Sequence, residues 1–288
     1  MALTNTTTLN DLLPAITAEA LYVASEKSIM KGLVRNYTIA AGQGKTITVP
    51  IYPKQTAAAL TEATAPTATA ISTDGVTLTV SEVGLMATVS DLSIQASSSN
   101  VVADIGKLFG EAIARKMDGD MMASFNTFSQ VVGGVGESAS TTATAAKLFE
   151  AIAKLRAGGY DTSSDCAIVL HPNIAFDVAS TLTSTFAAPA SLVGNDALRN
   201  GLMGNLGGVP VYQSSLVNLA DGSTAGDYGC GIFHKDAIGL AMMQDIKIES
   251  SREAALRGFN IVGSAIYATG ELNDLAGVRG SFDSSIES

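Results

Sequence analysis

Cysteine and histidine are the residues of this chain best suited to nucleophilic catalysis or metal binding, and the sequence has two of each. Cys230 and His234 lie in the segment GCGIFHKDAIGLAM, and Cys166 and His171 lie five positions apart. The surrounding residues predict strands, on which Cys230 and His234 would share a face roughly 13 Å apart, too far to bind one zinc ion. Cys166 and His171 would point to opposite faces. We therefore expect no catalytic, cofactor-binding or metal site, and a structural role for all four residues.

Two further motifs could carry chemistry. The segment AGQGKT at 41–46 is similar to the end of a phosphate-binding loop, but Ile39 stands where the first glycine is required, and the strand-like TVPIYP follows. A hairpin turn between two short strands explains the segment better. The acidic DGD at 118–120 is interpreted as a solvated face of a helix. Because no GxSxG, HExxH or GxGxxG motif is present, an enzyme would have to work with Asp, Glu and Lys alone, which is kept as an alternative.

Charge and composition narrow the classes of partner. The formal net charge is -10, so no overall field attracts the chain to nucleic acid or to an anionic membrane. The negative charge disfavours direct readout of DNA. It still allows a protein that encloses DNA without binding it tightly. Only 15% of the residues are charged and Trp is absent, so we expect other subunits to cover much of the weakly polar surface.

The compartment is also indicated by the sequence. The two cysteines have no CxxC spacing, which favours reduced thiols. No basic residue precedes Lys27, and no apolar run reaches the length of about 18 residues that a membrane span needs. We expect synthesis and assembly in the cytoplasm, without membrane insertion.

A long excursion is predicted between residues 42 and 90. β-Branched and aromatic residues alternate in TITVPIY and again in VTLTVSEVGLMATVSDLS, which favours two strand regions. Between them, residues 55–75 are almost all Ala and Thr and have too few large apolar groups to form a core. Because an isolated hairpin is marginal in water, the excursion should either be floppy or lie on another molecule.

The clearest element is a helix over residues 101–128, where apolar residues recur every three or four positions and form one stripe about 42 Å long. Glu111 and Arg115 are spaced for an i,i+4 ion pair. A shorter helix is expected over residues 15–31. A helix, strand, helix order follows the long helix, and short strands return in the C-terminal third. The predicted fold class is α+β, with the long helix between two sub-structures.

The order of these elements resembles the HK97-type major capsid protein of tailed bacteriophages. The resemblance is carried by LTEATAPTATAISTDGVTLTVSEVGLMATVSDLSIQASSSN, with its acidic residue and proline in the excursion, and by the long helix VVADIGKLFGEAIARKMDGDMMASF. Further along, LHPNIAFDVAS, LGGVPVYQSS and IFHKDAIGLAM are similar to the strand, helix and GVPV elements of the family. The likeness covers most of residues 35–280.

The resemblance implies an HK97-like capsid fold with an extended β-hairpin called the E-loop, a long spine helix, and peripheral and axial domains. The implied divisions are, in chain order, an N-terminal arm at 1–41, the E-loop at 42–90, the peripheral domain with its spine helix at 91–144, the axial domain at 145–235, and return strands of the peripheral domain at 236–288.

The resemblance also implies a function. The chain would assemble into hexamers and pentamers that form an icosahedral virion shell around double-stranded DNA, with a possible separate scaffolding protein, portal and decoration proteins. It would need no cofactor. The candidate inter-subunit contacts are Lys54, Glu62, Pro66, Asp74, Glu111 and Arg115.

Three alternatives belong to other classes. An encapsulin-type compartment shares the fold and would be distinguished by its protein cargo. An extracellular surface layer or adhesin would suit the Thr- and Ala-rich composition, although it needs an export signal. A carboxylate-based hydrolase would need a pocket with converging polar groups.

Overall fold

The computed structural model describes most of the chain from residue 28 onward. The described residues are 28–40, 42–52, 73–96, 101–134, 141–162, 165–185, 204–217 and 227–286, together with 57, 59–60, 62, 65 and 70–71. The predicted helix at 15–31 lies mostly outside them, and its described end, Met30–Gly32, is a 3-10 turn. No described helix is long and apolar enough to cross a membrane.

A four-stranded sheet forms the first layer, in the order β1-β10-β11-β4. The strands are β1 (Arg35–Thr38), β4 (Ser81–Ser90), β10 (Ile238–Glu253) and β11 (Gly258–Glu271). β10 and β11 form an antiparallel hairpin, β1 lies parallel to β10, and β4 lies antiparallel to β11. The β-branched and apolar residues of these strands alternate, so one face of the sheet is available to pack on a helix.

The long helix packs on that face. A short helix, α1 (Asp91–Ala96), precedes it, and the long helix itself is α2 (Val101–Ala123). Its buried stripe contacts the sheet through a shared core that includes Phe109, Ile113, Met117, Ile248 and Ile261.

The helix is shorter than predicted. The periodicity indicated a helix to residue 128, whereas α2 ends at Ala123 and the chain tightens into a 3-10 turn at Ser124–Thr127. Phe125 and Phe128 continue the apolar stripe and are buried, but they pack against the second sub-structure as well. The apolar spacing therefore persists beyond the α-helical hydrogen bonds. At 1.5 Å per residue, α2 spans about 35 Å.

A six-stranded sheet forms the second sub-structure, in the order β5-β12-β9-β6-β8-β7. The strands are β5 (Val131–Gly133), β6 (Cys166–Leu170), β7 (Asn205–Leu206), β8 (Val209–Gln213), β9 (Asp227–His234) and β12 (Gly277–Asp283). Helices α3 (Ala145–Ala157) and α4 (Pro172–Thr185) pack on it. β6 is buried along its whole length, because helices and neighbouring strands cover it. This mixture of helices and sheets confirms the predicted α+β class.

The excursion begins with a two-stranded ribbon, β2 (Thr46–Ile51) and β3 (Asp74–Thr79), which pair antiparallel. The prediction of a hairpin around AGQGKT is wrong, because β1 pairs with β10 while β2 pairs with β3. The segment is a turn between two sheets. Gly42 and Gly44 have φ angles of 91° and 90°, which glycine adopts without a steric penalty.

Two strands lie in sheets that the predicted divisions did not anticipate. Residues 81–90, which we assigned to the excursion, form β4 of the four-stranded sheet. Residues 277–283, which belong to the predicted return strands of the peripheral domain at 236–288, form β12 of the six-stranded sheet, beside β9. Strand pairing over long sequence distances decides both positions. The named domain divisions stay predictions.

Candidate functional site

The six predicted contact residues fall in two regions. Glu62 and Asp74 are exposed on the excursion, and Lys54 and Pro66 lie outside the described residues. Glu111 is half-buried and Arg115 is exposed, both on α2. Their contacts with other subunits stay a prediction.

The predicted ion pair between Glu111 and Arg115 does not form among the described residues. An ion pair on this helix joins Lys116 Nζ to Asp120 Oδ1 at 2.6 Å, one turn further along. Arg115 therefore keeps an exposed guanidinium on the outer surface of the helix. Among the described residues, no ion pair has to break before this exposed group can bind another molecule.

The excursion is anchored at its base and carries exposed apolar groups further out. Leu78 and Val80 are buried in a small cluster with Ile39 and Leu272 of the subunit body. Beyond β2 and β3 the large apolar side chains face outward, with exposed fractions of 67% for Tyr52, 73% for Leu60 and 63% for Ile71. The excursion therefore presents apolar surface that is available to a contacting molecule.

Cys166 lies in β6, and Cys230 and His234 lie in β9, whereas His171 follows the end of β6 and precedes α4. The register of β6 and β9 places Cys166 directly opposite His234, a proximity that their spacing in the sequence did not indicate. Cys166 Sγ donates to the Asp161 carbonyl at 3.4 Å. Burial, with the nearby carboxylates of Asp161 and Asp165, raises the pKa of Cys166 to about 11. The thiol is therefore protonated at neutral pH and is a poor nucleophile or metal ligand.

The other thiol and imidazole are also held in structural positions. Cys230 is fully buried, and burial raises its pKa to about 12. The ring of His171 stacks on Tyr228 with centroids 3.8 Å apart, and burial lowers the pKa of His171. Among the described residues, no three His, Cys, Asp or Glu side chains are grouped to hold a metal ion.

The DGD motif is not a solvated face of the helix, contrary to the sequence interpretation. Asp118 is 3% exposed and accepts hydrogen bonds from the Ser28 hydroxyl at 2.7 Å and the Ile29 N–H at 2.9 Å. Burial raises the pKa of Asp118, and these hydrogen bonds partly oppose that rise. Asp120 accepts from the Tyr267 hydroxyl at 2.8 Å. The motif fastens α2 to the N-terminal segment and to β11.

A second buried carboxylate holds the C-terminal segment. Asp177, in α4, is 1% exposed and accepts a hydrogen bond from the Ser285 N–H at 2.9 Å and another from the Ser285 hydroxyl. Sequence reasoning missed both carboxylates as anchors. These buried acids hold segments of the chain together, while Tyr52, Leu60 and Ile71 stay exposed on the excursion.

The family of the chain follows from comparison with known proteins. Residues 75–279 match the family model described as phage capsid protein, so the chain belongs to the phage capsid protein family. It is an HK97-type major capsid protein that forms the shell of the virion. No curated protein matches the chain.

Solved structures from phages and from a GTA particle share its fold. The capsid of the cyanophage P-SCSP1u is 17% identical, with 90% of this chain and 89% of that chain covered and a TM-score of 0.69. Mycobacterium phage Che8 is 18% identical, with coverage of 88% and 90% and a TM-score of 0.65. The capsid of the native GTA particle is 14% identical, with coverage of 91% for both chains and a TM-score of 0.61.

Proposed function

We propose that this capsid protein assembles as hexamers and pentamers into an icosahedral shell around double-stranded phage DNA. The observation that carries the proposal is the excursion, whose base is buried in the subunit while Tyr52, Leu60 and Ile71 remain more than half exposed. A two-stranded ribbon is marginal by itself, and in a closed assembly each copy can cover the ribbon of its neighbour.

The part of the predicted excursion that precedes β4, residues 42–80, therefore acts as an E-loop lying over an adjacent subunit. In that arrangement Lys54, Glu62, Pro66 and Asp74 contact the neighbour. Glu111 and Arg115, on the outer surface of α2, contact another subunit. The exposed guanidinium of Arg115 and the exposed carboxylates of Glu62 and Asp74 have opposite charges, which supports contacts of this type.

The enclosed DNA is held loosely. A subunit with a net charge of -10 does not concentrate phosphate at its surface, so packaged DNA stays movable. Assembly takes place in the host cytoplasm with a separate scaffolding protein, a portal and decoration proteins. Tight, salt-sensitive binding of DNA by the isolated subunit would contradict this part of the proposal.

Electron microscopy of the purified chain, alone and with its gene neighbours, tests the assembly, together with the particle mass in solution. Closed shells, or rings of five and six subunits, are expected. A stable monomer or dimer under every condition would overturn the proposal. Protein cargo in place of DNA would assign the shell to a compartment.

A matched pair of variants tests the excursion. Leu60→Ser removes an apolar side chain that is 73% exposed, so it should leave the isolated subunit as stable as before and reduce the yield of shells. Ala59→Ser is the control, because this residue is also exposed and a small side chain contributes little apolar contact. Equal shell yields for the two variants would show that this part of the excursion is not at an interface.

A further inference from the structure

β4 is a free edge of the four-stranded sheet. Within the described residues it pairs with β11 alone, in an unbroken register from Ser81 opposite Tyr267 to Ser90 opposite Gly258. About half of its residues turn their N–H and C=O groups away from β11, as in any antiparallel edge strand. The edge is thus a row of hydrogen-bonding groups ready to accept another strand.

This edge lacks the features that normally prevent strand addition. Proteins usually protect an edge with charges, proline, a bulge or a short strand. β4 is ten residues long, pairs with β11 in a continuous register, and has no proline and one charged residue, Glu82. An unprotected edge of this length in a protein that forms ordered shells indicates a specific partner strand.

The side chains of β4 are also incompletely covered. Met86 is 64% exposed, and its cross-strand neighbour Val262 is 36% exposed on the same outer face. On the inner face, Val83, Leu85 and Ala87 contact the core of α2 and are only partly buried. A further strand would cover apolar groups on both faces.

We propose that β4 pairs antiparallel with β4 of a second copy across a two-fold axis centred on Met86, which joins the two sheets into one. The inference rests on the proposed assembly into a shell and specifies one of its contacts. A two-fold axis perpendicular to the sheet keeps both helices on one side and places residue 86 opposite its own copy.

The sequence of β4 is complementary to itself in this register. Met86 lies opposite Met86, Leu85 opposite Ala87, Val83 opposite Val89, and Gly84 opposite Thr88. Glu82 lies opposite Ser90, so the two carboxylates are about 27 Å apart along the strands. A parallel pairing would instead set the two Glu82 side chains directly against each other, which is unfavourable. Charge therefore favours a second copy in the antiparallel arrangement.

Disulfide formation between assembled subunits tests the register. Met86→Cys introduces an exposed thiol, while Cys166 and Cys230 are buried. The two new thiols would lie across the two-fold axis within the range of a disulfide, whereas two Thr88→Cys thiols would be about 14 Å apart. Oxidation of assembled particles should give a dimer linked through position 86 in at least about tenfold greater yield than through position 88.

Other outcomes overturn the inference. Particles of the Met86→Cys variant that stay unlinked after oxidation would contradict the pairing. A disulfide that mass spectrometry locates between position 86 and the excursion, or between position 86 and a different protein, would also contradict it. Failure of the β4 pairing would leave the proposed shell assembly standing, because electron microscopy would still show particles of the unmodified chain. If the Met86→Cys variant does not assemble, hydrogen exchange of the unmodified chain tests the β4 pairing instead. Amides of residues 82–90 should exchange more slowly in particles than in free subunits, and equal exchange would overturn the pairing.

Discussion

The carboxylate of Asp118 accepts a hydrogen bond from the backbone N–H of Ile29 at 2.9 Å, across 89 positions of the sequence. Asp177 binds the N–H of Ser285 at the same distance. Each is a buried acid on a helix, and each holds a segment near one end of the described chain. These two carboxylates therefore fix both ends of the described chain to the body of the subunit.

Substitutions at Asp118 separate its charge from its hydrogen bonds. Because burial raises its pKa above the ordinary value of 3.8, the folded chain binds this proton more tightly than the unfolded chain. The contribution of this group to stability is therefore full below about pH 3.8 and is lost as the pH rises through the raised pKa. Asp118→Asn should remove this loss and unfold at pH 7 with a free energy equal to or above that of the unmodified subunit.

Asp118→Ala is the contrasting variant, because it leaves the Ser28 hydroxyl and the Ile29 N–H without an acceptor. It should be less stable than Asp118→Asn by about 1–3 kcal/mol at pH 7. Urea unfolding of dissociated subunits between pH 4 and pH 8 measures both. An Asn variant that keeps the pH dependence of the unmodified chain would contradict the assignment.

Loss of the Asp177 carboxylate should release the C-terminal segment. Asp177→Ala should destabilise the subunit by about 1–3 kcal/mol, since the Ser285 N–H loses its buried acceptor. The amide of Ser285 should then exchange rapidly with solvent. Ser285→Ala is the milder control, because it removes the hydroxyl and keeps the backbone hydrogen bond. Slow exchange at Ser285 in the Asp177→Ala variant would show that another contact holds this segment.

Two glycines should respond oppositely to alanine. A Cβ at Gly231, in β9, would lie 2.6 Å from the buried ring of Phe125, so Gly231→Ala should cost about 1–3 kcal/mol by overpacking. A Cβ at Gly119, in α2, meets no atom within 4 Å, so Gly119→Ala should add about 0.5–1 kcal/mol of helix stability. Thermal unfolding measures both changes. The same sign for the two variants would contradict the packing described around β9.

Both thiols should be unreactive in the folded subunit. Burial raises the pKa of Cys166 to about 11 and that of Cys230 to about 12, so neither forms the thiolate at pH 8. A thiol reagent should titrate no cysteine under native conditions and both cysteines in denaturant. Rapid reaction of one thiol in the native state would identify a local opening of β6 or β9.

The local pattern of residues was enough to predict the α+β class, the strands that carry Cys166 and Cys230, and most of the long helix. Helical and strand periodicities are properties of neighbouring residues, so the sequence contains them directly. The resemblance to the capsid family, carried by the order of these elements, is confirmed by the family match.

Tertiary structure alone decided which distant segments meet. The alternation around AGQGKT correctly predicted two strands, β1 and β2. Their partners, β10 and β3, are decided by strand pairing in the folded chain, which the local spacing of residues does not contain. The same holds for β12 and for the position of Cys166 opposite His234. The DGD motif is polar and therefore suggested an exposed surface. The burial of Asp118 depends on hydrogen bonds from Ser28 and Ile29, which lie 89 or more positions away in the sequence. Only the folded chain brings these residues together.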